Sequence, residues 1–253
     1  MSKVYFIGAG PGDPDLITLK GKRLLDEADL VIYTGSLINP LLLTSLKASL
    51  CDSKDMTLEA IIRLIIKATN EGKKVVRLHT GDTSFYSAIN EQIAYLRKEG
   101  IDYEVIPGVS SALAGSAVLG IELTIPELCQ TVIFTRLEGK TTVPEKERLR
   151  ELAKHNCTMV IFLSISMIDK VCEELIQGGF NNETPVVVIE KATWKEQRII
   201  KGTINSISSL VKDAGITKTA LIYVGDVLKA TTEGIQKKSR LYDKDFSHCY
   251  RKK

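Results

Sequence analysis

Short, mostly apolar runs alternate with stretches of 3,4-spaced apolar residues through the first half of the chain. Val4–Ile7, Leu30–Tyr33, Lys74–Leu78 and Tyr103–Ile106 read as strands buried on both faces. Between them, Leu19–Glu27, Leu58–Asn70 and Ile89–Lys98 read as helices. Leu58, Ile61, Ile62, Ile65 and Ile66 make one apolar face of the second, and Gly100 stops the third. This alternation predicts a mostly parallel sheet with helices on both faces. A turn-rich stretch from Gly120 to Gln130, holding Pro126, precedes a second apolar series. Strands at Thr131–Arg136, Thr158–Leu163, Val186–Glu190 and Ala220–Val224 are expected there, with an amphipathic strand at Gln197–Lys201. A helix at Met167–Gln177 is closed by Gly178 and Gly179. The fold class expected is α/β in two domains, over 1–120 and 128–230, followed by a basic tail over 231–253.

Composition narrows the class without naming a chemistry. Hydrophobic residues make up 44% and charged residues 26% of the 253 positions, ordinary for a globular chain. Seven Lys/Arg against three Asp/Glu after residue 230 give that segment +4, which leaves residues 1–230 at −1. The positive charge thus reflects a tail rather than a basic fold, which weakens a nucleic-acid-binding reading. Cys51, Cys129, Cys157, Cys172 and Cys249 are scattered, without a C-x-x-C pair, and read as reduced thiols of a cytoplasmic protein. His79, His155 and His248 form no metal-binding pattern, so no metal is expected. Met1-Ser2-Lys3 leads straight into a strand, and no secretory leader is expected. No uncharged run is longer than Val105 to Ile121, which is shorter than the ~20 residues a membrane span needs.

The chemistry gathers where strands end. Gly8-Ala9-Gly10-Pro11-Gly12-Asp13 follows the first strand, and its glycines are expected to let a ligand approach the backbone. It is not the dinucleotide fingerprint, because the third glycine of G-x-G-x-x-G falls on Asp13; nor does a Gly-Lys-Ser/Thr follow. A nucleotide-like ligand lacking a pyrophosphate fits better. His79-Thr80-Gly81-Asp82, Pro107-Gly108-Val109-Ser110-Ser111 and Glu190-Lys191-Ala192-Thr193-Trp194 follow three further strands. In open α/β sheets ligands bind outside the carboxyl ends of the strands. Each loop alone is a common turn; the four together, in this order, are specific.

With these motifs the chain resembles the tetrapyrrole methylases, over essentially its whole length. The family's marks are present as Gly8 to Asp13, Gly81-Asp82, Pro107 to Ser111, Glu190 to Thr193, and Ala220-Leu221-Ile222. Within the family, Tyr33-Thr34-Gly35-Ser36-Leu37, His79 to Asp82, Glu91-Gln92, Glu122 to Glu127, Gln130 to Arg136 and Thr142 to Glu145 resemble the branch that methylates C-11 of precorrin-4 or cobalt-precorrin-4. Thr83 and Ser87 stand where the family often has Pro and Gly. Thr34 stands where the uroporphyrinogen branch carries Asp, which speaks against that substrate.

The resemblance implies S-adenosylmethionine as cofactor, S-adenosylhomocysteine as product, a cofactor cleft between two domains, a corrinoid substrate and a homodimer. It implies that Pro11, Gly81, Asp82, Thr83, Ser110, Ser111, Leu163, Ala192, Ala220 and Leu221 line the cofactor. Leu163, Ala220 and Leu221 suit plain strand core equally well, and Asp82 suits a turn or helix cap. Acidic arms on the macrocycle call for cations, and Arg136, closing an apolar strand, and Lys140 are the substrate-binding candidates, with Ser36. Tyr33 and Glu91 are the candidates for proton removal. Methylation at another ring position, methylation of ribosomal RNA or a translation factor, and a non-catalytic binding role are the competing readings. In the tail, Leu241, Tyr242 and Phe246 are expected to bury an apolar patch. Lys237, Lys238 and Arg240 would then meet the acidic ring or a second subunit.

Overall fold

The computed structural model describes residues 3–229, 239–240, 245–247 and 249–251. The chain packs as two compact units, Met1–Ala114 with Lys191–Glu196, and Gly115–Glu190 with Gln197–Lys253. The segment 191–196 therefore belongs with the first unit, although the sequence places it inside the second apolar series. Of the tail residues singled out above, Lys237, Lys238, Leu241 and Tyr242 lie outside the described residues.

The first unit holds strands β1 (Val4–Gly8), β2 (Leu30–Tyr33), β3 (Ser49–Asp52), β4 (Val75–His79) and β5 (Tyr103–Ile106). They form one sheet in the order β3-β2-β4-β1-β5, every pairing parallel. Helices α1 (Leu19–Asp26), α2 (Leu58–Asn70) and α3 (Ile89–Lys98) cross over between strands; α4 (Ser111–Leu119) follows β5, its residues 111–114 counted with this unit and 115–119 with the second. Strand parity sorts the core. Ile7, Val31, Val76 and Leu78 pack with Leu24 and Leu25 of α1 on one face. Phe6, Ile32 and Val75 pack with Ile61 and Ile65 of α2 and with Ile93 and Leu96 of α3 on the other. Thr18 and Thr57 cap α1 and α2, accepting from the amides of Gly21 and Ala60.

The second unit is also α/β, but its sheet is mixed. Strands β6 (Val132–Arg136), β7 (Thr158–Phe162), β8 (Pro185–Glu190), β9 (Arg198–Thr203) and β10 (Ala220–Val224) lie in the order β6-β7-β10-β8-β9. Only β6 and β7 run parallel; β10 lies antiparallel between β7 and β8. Helices α5 (Leu149–Ala153), α6 (Ile168–Gln177) and α7 (Ile207–Asp213) cover it. No helix among the described residues is long and apolar enough to cross a membrane.

Candidate functional site

In the first unit, three loops leaving the carboxyl ends of β1, β4 and β5 are bound to one another through backbone. Gly10 and Gly81 exchange hydrogen bonds, N–H to O at 3.2 and 2.8 Å, and the Ala9 amide donates to the His79 carbonyl at 2.7 Å. A Cβ placed on Gly8 would lie 2.7 Å from the Gly108 Cα and the Gly81 carbonyl oxygen; one on Gly108 would lie 2.8 Å from the Gly8 Cα. These two glycines exist so that peptide planes of neighbouring loops can touch. Asp82 completes the knot. Its Oδ2 accepts from the Gly108 amide at 2.7 Å and its Oδ1 from the Ser84 amide at 2.8 Å. Burial works against the charge, but the amides of Gly108, Ser84 and Thr83 outweigh it and hold the carboxyl below its ordinary range.

The glycine loop differs from the expectation that it lies open to a ligand. The Pro11 carbonyl accepts from Trp194 Nε1 at 2.9 Å, the Gly12 carbonyl from Asn39 Nδ2 at 2.7 Å, and the Asp13 amide donates to Thr193 Oγ1 at 2.9 Å. Gly12 has no Cβ because Trp194 fills that space: a Cβ would come within 2.9 Å of the indole Cγ and closer still to Cδ1 and Nε1. The loop is thus a fastening point for other segments of its own unit.

Pro11, Gly81, Asp82, Thr83, Ser110, Ser111 and Ala192 all belong to this unit. Six of them sit on the interlocked loops, and Ala192 is brought in by its neighbours Thr193 and Trp194. Thr83, Ser110 and Ala192 are buried. Ser110 Oγ accepts from the Ala112 amide at 3.3 Å, opening α4, and Gly81 faces that same helix start. Tyr33 ends β2, with Ser36 exposed in the turn after it, and Glu91 is exposed in the first turn of α3.

Beneath the 79–82 loop, on the α2/α3 face, lies a cluster that sequence reasoning passed over. Arg77 is only 5% exposed; its Nε donates to Gln92 Oε1 at 3.2 Å and its Nη1 to the Ile32 carbonyl at 3.1 Å. Both partners are neutral, and burial lowers the guanidinium to about 10. His79, also 5% exposed, stacks on Phe6 at 6.1 Å and has no hydrogen-bond partner at Nε2. Burial first, and the Arg77 charge second, push its pKa down to about 3, so the imidazole is neutral. Two ionisable residues two apart on one strand were the available signal.

In the second unit, antiparallel pairing puts the start of β10 at the sheet edge where β7 and β8 end, Ala220 opposite Glu190. Ala220 and Leu221 are buried strand residues. Leu163, just past β7, is 67% exposed and has φ 54°. An apolar side chain held outward in the left-handed region is not plain core. Arg136 ends β6 at the same edge, but its guanidinium is engaged: Nη1 donates to the carbonyls of Leu137 (3.3 Å) and Thr141 (3.2 Å), and Nη2 to that of Thr142 (2.8 Å). It ties down the loop that carries exposed Lys140.

The sequence model of the Tetrapyrrole (Corrin/Porphyrin) Methylases matches residues 3–208. The chain belongs to this family. A methylase relative from Methanocaldococcus jannaschii, a cobalt-precorrin-4 C(11)-methyltransferase, is 57% identical over 99% of the chain and 96% of its own length. The X-ray structure of a cobalt precorrin-4 methyltransferase, a cobalamin biosynthetic enzyme, matches with TM-score 0.88 and 47% identity over 89% of this chain and 95% of that one. The uroporphyrin-III C-methyl transferase of Thermus thermophilus, complexed with S-adenyl homocysteine, matches with TM-score 0.78 and 28% identity over 90% of this chain and 100% of that one.

Proposed function

We propose that the chain is an S-adenosylmethionine-dependent C-methyltransferase acting on C-11 of precorrin-4 or cobalt-precorrin-4 during construction of the cobalamin ring. The observation that carries this reading is its near full-length agreement with the Methanocaldococcus C(11)-methyltransferase. The first unit's loops fit the cofactor in kind. The Gly10 and Asp13 amides are engaged within the protein, so no pyrophosphate cradle is on offer. Ser110 and Ser111 instead open α4, whose N-terminal dipole favours a carboxylate such as that of the cofactor's amino-acid end.

When bound, the cofactor supplies a methyl group already activated on a sulfonium. What is left to the protein is to hold the nucleophilic ring carbon in line and to exclude water, a proximity effect worth several kcal/mol. We assign the cofactor contacts to Pro11, Gly81, Asp82, Thr83, Ser110, Ser111, Leu163, Ala192, Ala220 and Leu221. Lys140 and Ser36 are assigned to the acidic macrocycle, with Arg136 holding the Lys140 loop in place. Tyr33 and Glu91 stay the candidates for proton removal. We further propose that the protein works as a cytoplasmic homodimer without a nucleic-acid partner, the basic segment 231–253 meeting the acidic ring or the second subunit. The near-neutral residues 1–230 support the exclusion of nucleic acid.

The test is to incubate the protein with methyl-labelled S-adenosylmethionine and a precorrin-4 pool, with and without cobalt, and to locate the label by mass and NMR analysis. Label at C-11, with uroporphyrinogen III left untouched, is expected. Efficient double methylation of uroporphyrinogen III at C-2 and C-7 refutes the assignment.

A further inference from the structure

Segment 191–196 is joined to the glycine loop by more than simple packing. Trp194, the one tryptophan of the chain, donates from Nε1 to the Pro11 carbonyl, and Thr193 Oγ1 accepts from the Asp13 amide. The indole occupies the space a Cβ on Gly12 would need, so ring and glycine are matched in shape. The Trp194 amide closes the segment into a turn by donating to the Lys191 carbonyl at 3.0 Å. Inside that turn, Lys191 has φ 48° and Thr193 φ 70°. A positive φ is an outlier for a β-branched residue, and it persists only where the surroundings over-determine it. Between these two strained residues sits Ala192, buried and facing inward at 7% exposure.

We propose that Trp194 is a positioning residue of the cofactor site: through Pro11 and Gly12 it fastens segment 191–196 and so sets the backbone of Ala192 where the cofactor binds. This rests on the cofactor assignment proposed above. The fastening is reciprocal, because the same hydrogen bond and the same ring contact hold the glycine loop in its own conformation. Cofactor binding then tightens the ground around the indole, and Trp194 reports it.

The experiment compares wild type with Trp194→Phe, which keeps a ring but loses the Nε1 donor, and Gly12→Ala, which keeps the indole but denies it its place. S-Adenosylhomocysteine affinity is measured by calorimetry, indole emission by titration with the same ligand, and folding by circular dichroism. Wild type is expected to bind, with an emission change whose midpoint matches the calorimetric one. W194F is expected to bind about fivefold more weakly, the worth of one neutral hydrogen bond, and G12A about tenfold or more. In turnover, KM for S-adenosylmethionine should rise while KM for the tetrapyrrole stays put. If W194F and G12A bind within about twofold of wild type while melting earlier, Trp194 is only a packing residue and the inference fails. If wild type itself does not bind S-adenosylhomocysteine, the cofactor assignment falls first and takes this inference with it.

Discussion

Alanine at position 108 is the smallest change that tests whether the three strand-end loops depend on direct backbone contact. The added Cβ would lie 2.8 Å from the Gly8 Cα and 2.9 Å from the Gly8 carbonyl carbon, and closer still to the Gly81 oxygen. All three atoms are main chain, so no rotamer can move aside and the loops themselves must separate. Overpacking of this kind costs roughly 1–3 kcal/mol. Separation also stretches the 2.7 Å bond from the Gly108 amide to Asp82, and bonds to a charged group contribute about 1.5–3 kcal/mol. Together the loss is about 3–5 kcal/mol, or a melting temperature lower by roughly 10 °C for a chain of this size. Gly100→Ala is the control. Gly100 has φ +65° and nothing within 4 Å, so alanine there meets only the left-handed backbone penalty of about 1 kcal/mol. Thermal unfolding by circular dichroism and S-adenosylhomocysteine calorimetry on both variants make the assay. The expected pattern is G100A slightly less stable with unchanged affinity, and G108A much less stable with affinity lost. A G108A protein that melts and binds like G100A refutes the interlocked-loop reasoning.

Acidification tests the buried histidine. The unfolded chain takes up a proton at His79 below its ordinary pKa of 6.5, while the folded chain refuses it down to about 3. Stability is therefore full above pH 6.5 and falls by about 1.4 kcal/mol per unit below it, or about 2 kcal/mol by pH 5. Urea unfolding of His79→Phe should show that slope reduced by about one proton, and an unchanged slope would count against the buried neutral imidazole. Asp82 acts in the same sense but only near and below its ordinary pKa of 3.8, since its folded pKa is lowered and its contribution vanishes as the carboxylate is protonated. Arg136→Ala frees the 137–142 loop, so trypsin should cut after Lys140 faster; KM for the tetrapyrrole should rise several-fold with S-adenosylhomocysteine affinity kept within about twofold. Equal proteolysis rates in the two proteins would show that Arg136 does not hold the loop.

Local period by itself determined most of the elements. Leu58–Asn70 and Ile89–Lys98 are helices, and Leu30–Tyr33, Tyr103–Ile106 and Ala220–Val224 are strands, at the limits their apolar spacing predicts. Two elements escaped for opposite reasons. Strand β3 is a four-residue edge strand, half exposed and paired only with β2, so its sequence carries no buried face to read. Helix α4 is built from Ser, Ala, Leu, Gly and Val, apolar all round, and so shows no 3.6-residue contrast. The motifs likewise marked where the candidate site lies, because glycines and hydroxyls after strands are local signals. What each glycine is for was not local. Gly8 and Gly108 answer to each other across 100 positions, and Gly12 answers to Trp194 across 182. The same holds for β10, which no pattern in Ala220–Val224 orients, yet which lies antiparallel between β7 and β8. Arg136 reads as a free cation at a strand end until the carbonyls of residues 137, 141 and 142 are seen around it. Spacing along a chain sets which face a residue takes within its own element. Which atoms meet that face depends on segments far away in sequence, and only the tertiary structure brings them there.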